Sequence, residues 1–308
     1  MFHVKQNQKT IDIQTISRDF NLKLKDYFLS GEEFELKINK VYGFLETHPQ
    51  PLENLSKYYE TDEYISHTDS EKGLFAKAYQ IVKNYNLKYK FSKLENIKEG
   101  SSILDYGCGT GDFLVYAKER NLKIRGVEPN SQALKLASKK LGESVVSNLS
   151  IEELDMKFDV ITLWHVLEHI SDLYPFIENL KSKLNPGGTI YVAAPNHLSY
   201  DAKFYGKYWA AYDVPRHLWH FSPQSLEKLF NSFGMKIEKQ YPLWFDSYYV
   251  SLLSEKYKKT KLGFLRAILI ASLSNLKGIF SKNYSSIIYQ ITKTENKANM
   301  TKKITFNL

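Results

Sequence analysis

Residues 104 to 113 read LDYGCGTGDF, and the change of character within these ten positions decides the fold. SILDY (102–106) is a short apolar run that stops at three glycines, Gly107, Gly109 and Gly111. DFLVYAKERN follows, with Phe113, Leu114 and Ala117 at helical spacing, so the stretch reads strand, tight turn, helix. The same alternation continues outward. KIRGVEP (123–129) reads as a strand and SQALKLASKKL (131–141) as an amphipathic helix. SVVS, FDVITL (158–163) and GTIYVAAP (188–195) are further strands, with the helix SDLYPFIENLKSKL (171–184) before the last. Strands separated by helices of this length imply a parallel sheet covered on both faces, a doubly wound α/β domain.

Further elements flank it. DSEKGLFAKAYQIVKNYNLKYKFSKL (69–94) reads as one long helix with Asp69 or Ser70 as its N-cap. Ser222 and Pro223 open a helix that Gly234 ends, and MKIEKQYPL (235–243) and SSIIYQITK (285–293) read as two late strands. Between them lies a helical insertion, 247–280. The expected organisation is an N-terminal appendage (1–60), a main domain (61–294) and a tail (295–308).

The 308 residues, 43% of them hydrophobic, suffice for a substantial core. The single cysteine, Cys108, excludes an intrachain disulfide and fits a reducing compartment. No apolar signal segment opens the chain, so a cytoplasmic location is expected. The net charge of +8 resides in residues 241–308, where ten Lys and one Arg face Asp246, Glu255 and Glu295. Arginine, the residue that forks onto guanine edges, numbers five against 37 lysines, and this argues against a base-reading protein.

The loop's chemistry is specific. A dinucleotide fingerprint needs glycine at position 112, where Asp112 stands, so the spacing is G-x-G-x-G. Asp105 immediately before the glycines repels phosphate and attracts an ammonium group. Glu128, at the end of the second strand, is placed to accept hydrogen bonds from ribose hydroxyls. A nucleoside with an amino-acid tail satisfies both carboxylates, and S-adenosylmethionine is such a molecule.

ILDYGCGTG (103–111), GVEPN (126–130), FDVITLWHVLEHI (158–170) and LNPGGTIYVAAPN (184–196) together resemble the class I S-adenosylmethionine-dependent methyltransferases. The resemblance is closest to the group that includes the ubiquinone-biosynthesis O-methyltransferases, and it spans residues 70–294. It implies a Rossmann-like sheet of seven strands whose last strand inserts antiparallel beside 235–243. It also implies a cofactor-lining set of Asp105, Tyr106, Gly107, Cys108, Gly109, Gly111, Glu128, Pro129, Asn148, Leu149, Leu163 and Trp164. Within that set Asp105, Gly107 and Gly109 take the methionine part and Glu128 the ribose. Asn130 and residues 147–149 border the adenine, and Trp164 and His165 lie near the transferring methyl. S-adenosylhomocysteine is the implied product. The stretch 30–51 is similar to the lead-in of relatives with a C-x-x-C-G-F turn, but Asn39 and Tyr42 occupy the cysteine positions, so any zinc knuckle is lost.

His165, Glu168 and His169 spell H-x-x-E-H, the spacing of inverted zincins. A strand pattern precedes the motif here, which sets it in the crevice at the carboxyl ends of the strands rather than within a long helix. Some quinone-pathway relatives carry E-x-x-E-H at this place and use a divalent ion to orient substrate oxygens. With His165 in the first position, no bound metal is expected. His165 is the first candidate for a base or substrate contact, against a helix-capping or cofactor-shelf role. Glu168 and His169 are expected to buttress the helix.

His217 and His220, in AAYDVPRHLWHF (210–221), are the next catalytic candidates. That segment reads either as a polar substrate pocket or as a covering loop in which Asp213 pairs with Arg216. LGFLRAILIASLSNLKGIF (262–280), behind EKYKKTK, reads as a lid, a homodimer surface or a peripheral membrane contact, and Arg266 argues against a span. The overall expectation is methyl transfer to an oxygen or nitrogen of a small molecule, a sugar or a lipid-linked precursor. The alternatives are a non-catalytic cofactor-binding module and a nucleic-acid methylase, the latter disfavoured by the absence of an N/D-P-P-Y/F box. No nucleic-acid partner is expected.

Overall fold

The computed structural model describes residues 21–59 and 74–294. Seven strands form the central sheet: β4 (Ser102–Tyr106), β5 (Lys123–Val127), β6 (Val146–Ser147), β7 (Phe158–Trp164), β8 (Leu184–Pro195), β10 (Met235–Pro242) and β11 (Ser286–Lys293). Their order is β10-β11-β8-β7-β4-β5-β6. The pairs among β4, β5, β6, β7 and β8 are parallel, whereas β11 runs antiparallel to both β8 and β10. The antiparallel insertion of the last strand is as the resemblance implied.

Successive side chains on a strand point to opposite faces, and each face of this sheet carries its own core. Leu104, Ile161, Leu163, Ile190 and Val192 enter one core. Their neighbours Ile103, Val160, Tyr191 and Ala193 enter the other. Strands buried on both faces cannot alternate apolar with polar residues, which is why FDVITL is a near-continuous apolar run.

The helices are α1 (Leu74–Ser92), α2 (Asp112–Lys118), α3 (Ser131–Leu141), α4 (Leu173–Ser182), α5 (Tyr200–Tyr205), α6 (Pro223–Ser232), α7 (Asp246–Lys258) and α8 (Gly263–Ser281). Asn130 caps α3 by accepting from the backbone N–H groups of Gln132 and Ala133. Ser222 and Ser225 form a capping box on α6, and Gly234 follows that helix at φ 67°. The insertion expected as one helical segment is two helices, broken where Lys259 adopts φ 53°. The proposed caps Asp69 and Ser70 of the long helix, and the tail 295–308, lie outside the described residues.

A second, antiparallel sheet has the order β1-β2-β3-β9, from β1 (Asn21–Lys25), β2 (Glu33–Ile38), β3 (Leu45–His48) and β9 (Trp219–His220). The β2–β3 hairpin occupies the stretch that is similar to the C-x-x-C-G-F lead-in. Asn39 closes it, its side-chain oxygen accepting from the N–H groups of Val41 and Tyr42. Because β9 comes from the segment after α5, this sheet stitches the N-terminal stretch to the loop beside the crevice.

Candidate active site

Asp105 ends β4 opposite Thr162 of β7, whose hydroxyl donates to its carboxylate at 2.7 Å. The aspartate is 1% exposed, and burial pushes its pKa up to about 7, with the Thr162 hydrogen bond and the Lys90 charge opposing that rise. Lys90, from the end of α1, is the nearby cation. Its ammonium lies 5.0 Å from the centre of the Trp164 ring, and burial lowers its pKa against the pull of Asp246 and Asp105.

Each loop glycine has its own reason. Gly107 has φ 74°, and a Cβ there would lie 2.4 Å from Cγ2 of Val166, so the glycine loop and the turn after β7 touch directly. Gly111, at φ 80°, is pressed by Leu141 and Ala137 of α3. Gly109, at φ 56°, has nothing among the described residues within 4 Å of where its Cβ would be, which leaves room beside the loop.

Glu128 is 7% exposed, and burial raises its pKa. One carboxylate oxygen accepts the Gly109 N–H at 2.7 Å and the other accepts the Asn130 N–H at 2.8 Å. Each oxygen keeps a second lone pair, so the residue can brace the loop and still accept from two vicinal hydroxyls. Pro129 and Asn148 are exposed beside it, and Leu149 is half-buried. Tyr106 stacks edge-on against Phe176, and Cys108 is buried with its thiol pKa pushed up, so it packs rather than reacts. Leu163 points into the core away from Trp164, and any part it has in the site is through its backbone. Trp164 packs on Phe113, and its buried indole N–H has no partner among the described residues.

His165 leaves the strand with φ 60°, a left-handed conformation uncommon for a residue with a side chain, while its N–H donates to Ala193 of β8. Its Nε2 lies 2.9 Å from Asp246 and its Nδ1 3.4 Å from Glu168. Burial pulls its pKa down, but the two carboxylates outweigh this and hold it at about 9. In this arrangement the ring is a cation set between two carboxylates. It can act as a base only once it has lost a proton.

His169 and His217 differ. Nδ1 of His169 lies 2.9 Å from the Arg216 carbonyl and 3.0 Å from the Tyr59 hydroxyl. Nδ1 of His217 lies 2.9 Å from the Ala211 carbonyl. A carbonyl only accepts, so both rings carry a proton on Nδ1, and the lowered pKa of His169 leaves its Nε2 bare. Burial, reinforced by the charge of His217, drops the His169 pKa to about 4. Glu168, 1% exposed, has neither carboxylate oxygen hydrogen-bonded among the described residues. Its ligand atom and those of His169 and His217 lie within 4.8 Å of one another. His169 thus buttresses the turn as expected, while His217 joins Glu168 from a distant segment.

His220 is elsewhere. It sits in β9 at the seam of the two sheets, its Nε2 2.9 Å from the Thr47 hydroxyl, and burial takes its pKa well down. Those contacts make it a packing residue. The expected Asp213–Arg216 pair is present at 2.6 Å, and Arg216 also reaches Asp26 at 2.9 Å. The covering-loop reading of 210–221 accounts for that part, and His217 retains the polar one. Sequence reasoning missed Asp246 and Lys90. Neither belongs to a motif, and the one available signal was an acidic residue opening a helix.

Residues 80–240, more than half of the chain, match a methyltransferase domain family. The mitochondrial ubiquinone biosynthesis O-methyltransferase of Homo sapiens is 29% identical over 156 residues, covering 45% of this chain and 42% of that protein. The ubiquinone biosynthesis O-methyltransferase of Rhodopseudomonas palustris (strain TIE-1) is 26% identical over 160 residues, covering 48% and 63%. This chain therefore spans less than two thirds of the length of these relatives. In fold it is similar to Haemonchus contortus phosphoethanolamine N-methyltransferase 2 in complex with S-adenosyl-L-methionine, with TM-score 0.51 and 17% identity over 89% of this chain and 71% of that one. Geranyl diphosphate C-methyltransferase of Streptomyces coelicolor A3(2), in complex with S-adenosyl-L-homocysteine, has TM-score 0.51 and 10% identity over 80% and 98%. The glycine loop with open space at Gly109, the acidic Asp105 and the two spare acceptors of Glu128 suit the cofactor of that family. The chain belongs to the methyltransferase domain family, and its fold is that of the class I S-adenosylmethionine-dependent methyltransferases.

Proposed function

We propose that the acceptor is a polar small molecule, a free metabolite, sugar or lipid-linked precursor, methylated on a hydroxyl oxygen. The carrying observation is the 2.9 Å contact between His165 Nε2 and Asp246, set beside the glycine loop through the Val166–Gly107 contact. S-adenosylmethionine, when bound, supplies a methyl group on a sulfonium, open to in-line displacement. Asp105 and Glu128 hold its polar ends, and Trp164 and Phe113 wall the crevice. Alignment of the two reacting atoms accounts for most of the acceleration. An acceptor hydroxyl must also lose its proton. Insertion of that hydroxyl between His165 and Asp246 separates the ring from the carboxylate that keeps it charged. The one-third-exposed imidazolium passes its Nε2 proton to solvent, and the neutral Nε2 then takes the hydroxyl proton as the oxygen bonds to the methyl carbon and the sulfur–methyl bond breaks. The names of the relatives, O-methyltransferases, support an oxygen acceptor.

A second reading concerns a divalent ion. Glu168, His169 and His217 present a carboxylate and two imidazole Nε2 atoms, each ring oriented by a carbonyl behind it, and this donor set fits such an ion. It would supply a Lewis acid for acceptor oxygens. The His165 cation beside Glu168 competes for the same carboxylate.

A labelled-donor screen against extracted metabolites tests the main reading. Turnover is expected in the wild type and a loss of about 100-fold or more in His165→Ala with cofactor binding kept. Unchanged turnover moves the base elsewhere. Thermal stabilisation by Mn2+ or Zn2+ that vanishes in His217→Gln supports the ion, and no stabilisation retires it.

A further inference from the structure

Helix α8 turns its small residues inward and most of its large apolar ones outward. Gly263, Ala267, Ala271, Ser274 and Gly278 are buried, with Ile270 the one large apolar residue among them. Gly278 is dictated by packing, because a Cβ there would lie 2.5 Å from the Tyr284 ring. Phe264, Leu265, Leu269, Leu276 and Phe280 are between 53% and 82% exposed. A surface helix of a globular protein has the opposite polarity, apolar stripe inward and polar face to solvent. The outward stripe is contiguous, since positions 265, 268, 269, 272, 276 and 279 fall on one side of a 3.6-residue helix, and Ser272 is its one polar member. The helix is long and apolar enough to cross a membrane by length and composition. Its small-residue side, however, is packed on α5 and α7 and Arg266 is tied to Glu255 at 2.6 Å, so it lies along the protein surface.

The charges around it have one sign. Asp246 and Glu255 are the acidic residues between positions 241 and 294, and both are engaged, by His165 and Arg266. Lys256, Lys258, Lys259 and Lys261 lead into α8, and Lys277 and Lys282 stand at its far end, all exposed. Among the described residues none of these six lysines has a carboxylate partner. A second copy of the chain would bring two such lysine clusters together without an acid to meet them. A surface that is apolar in the middle and cationic at both ends matches acyl chains bordered by anionic headgroups.

We propose that α8 is a docking helix that lies flat in the interface of an anionic lipid bilayer, with its Leu265–Phe280 stripe in the acyl boundary and the lysines on the headgroups. The test is co-sedimentation of the full chain with vesicles of phosphatidylcholine alone and of phosphatidylcholine with phosphatidylglycerol. Binding to the anionic vesicles is expected to be at least about tenfold stronger and to weaken as salt is raised. Leu265→Glu/Leu269→Glu, placed on the exposed face and checked for an unchanged melting temperature, is expected to lose binding about tenfold or more. Lys258→Glu/Lys261→Glu is expected to lose binding to anionic vesicles while leaving the residual affinity for neutral ones. Failure to bind anionic vesicles overturns the proposal, as does equal binding by the leucine variant. A concentration-dependent dimer that the leucine variant dissociates, without vesicle binding, assigns the face to a second copy instead.

Discussion

His165 and His169 stand on either side of the Glu168 carboxylate, four positions apart, in opposite charge states. His165 faces two carboxylates and keeps its proton to about pH 9, whereas His169 faces a carbonyl and another imidazole and stays neutral down to about pH 4. Burial lowers both. What separates them is the partner that the fold delivers, Asp246 from the start of α7 to one and His217 with Arg216 from the β9 loop to the other. Residue type therefore says little about role here, and the neighbour's charge decides it.

The strongest way to break this contrast is to collapse the neutral side. Arg216 is 1% exposed between Asp26 and Asp213, and its carbonyl orients His169. Arg216→Met leaves the buried Asp26 and the half-buried Asp213 without their cation and is expected to cost about 3–5 kcal/mol in denaturant unfolding. A loss under about 1 kcal/mol would show that the loop is held by other contacts.

On the charged side, Asp246→Asn removes the nearer partner of His165. If neutral His165 takes the acceptor's proton, the wild-type rate rises with pH as the ring deprotonates. The variant's rising limb is then expected to move from about 9 toward the ordinary 6.5. A limb that stays in place assigns the titration to another group.

The smallest effect is a difference in pH-dependent stability. The raised His165 pKa contributes stability that is complete below 6.5 and is lost as pH rises through about 9. The depressed His169 pKa gives the reverse, stability complete above 6.5 and lost as pH falls through about 4. Thermal unfolding of His165→Gln against wild type is expected to flatten the alkaline limb and leave the acid limb, and His169→Gln the converse. Identical limbs in all three proteins would place the linkage at other residues.

How much of this was legible in the sequence varies by element. The strand–glycine–helix unit around LDYGCGTGDF was fully so, because its constraints are local: an apolar run, positive φ at Gly107, Gly109 and Gly111, and an acid at each strand end. Glu128 was readable for the same reason, although its service as a brace to Gly109 and Asn130 was not. In the acceptor half the reading was partial. His165 was found by its place after β7, but its charge depends on Asp246, 81 positions later. His220 looked equivalent to His217 on paper. The strand pairing of β9 with β3 turned the first toward Thr47, while the second meets Glu168 and His169.

The sequence by itself determined the seven-strand alternation, the cofactor loop and the family, since each rests on periodicity and residues close together in the chain. Only the tertiary structure decided which histidine is charged, which residue answers it, and that α8 exposes its apolar stripe. Those outcomes depend on burial and on partners from distant segments, and a carboxylate or carbonyl arriving from elsewhere shifts a proton that no local pattern records.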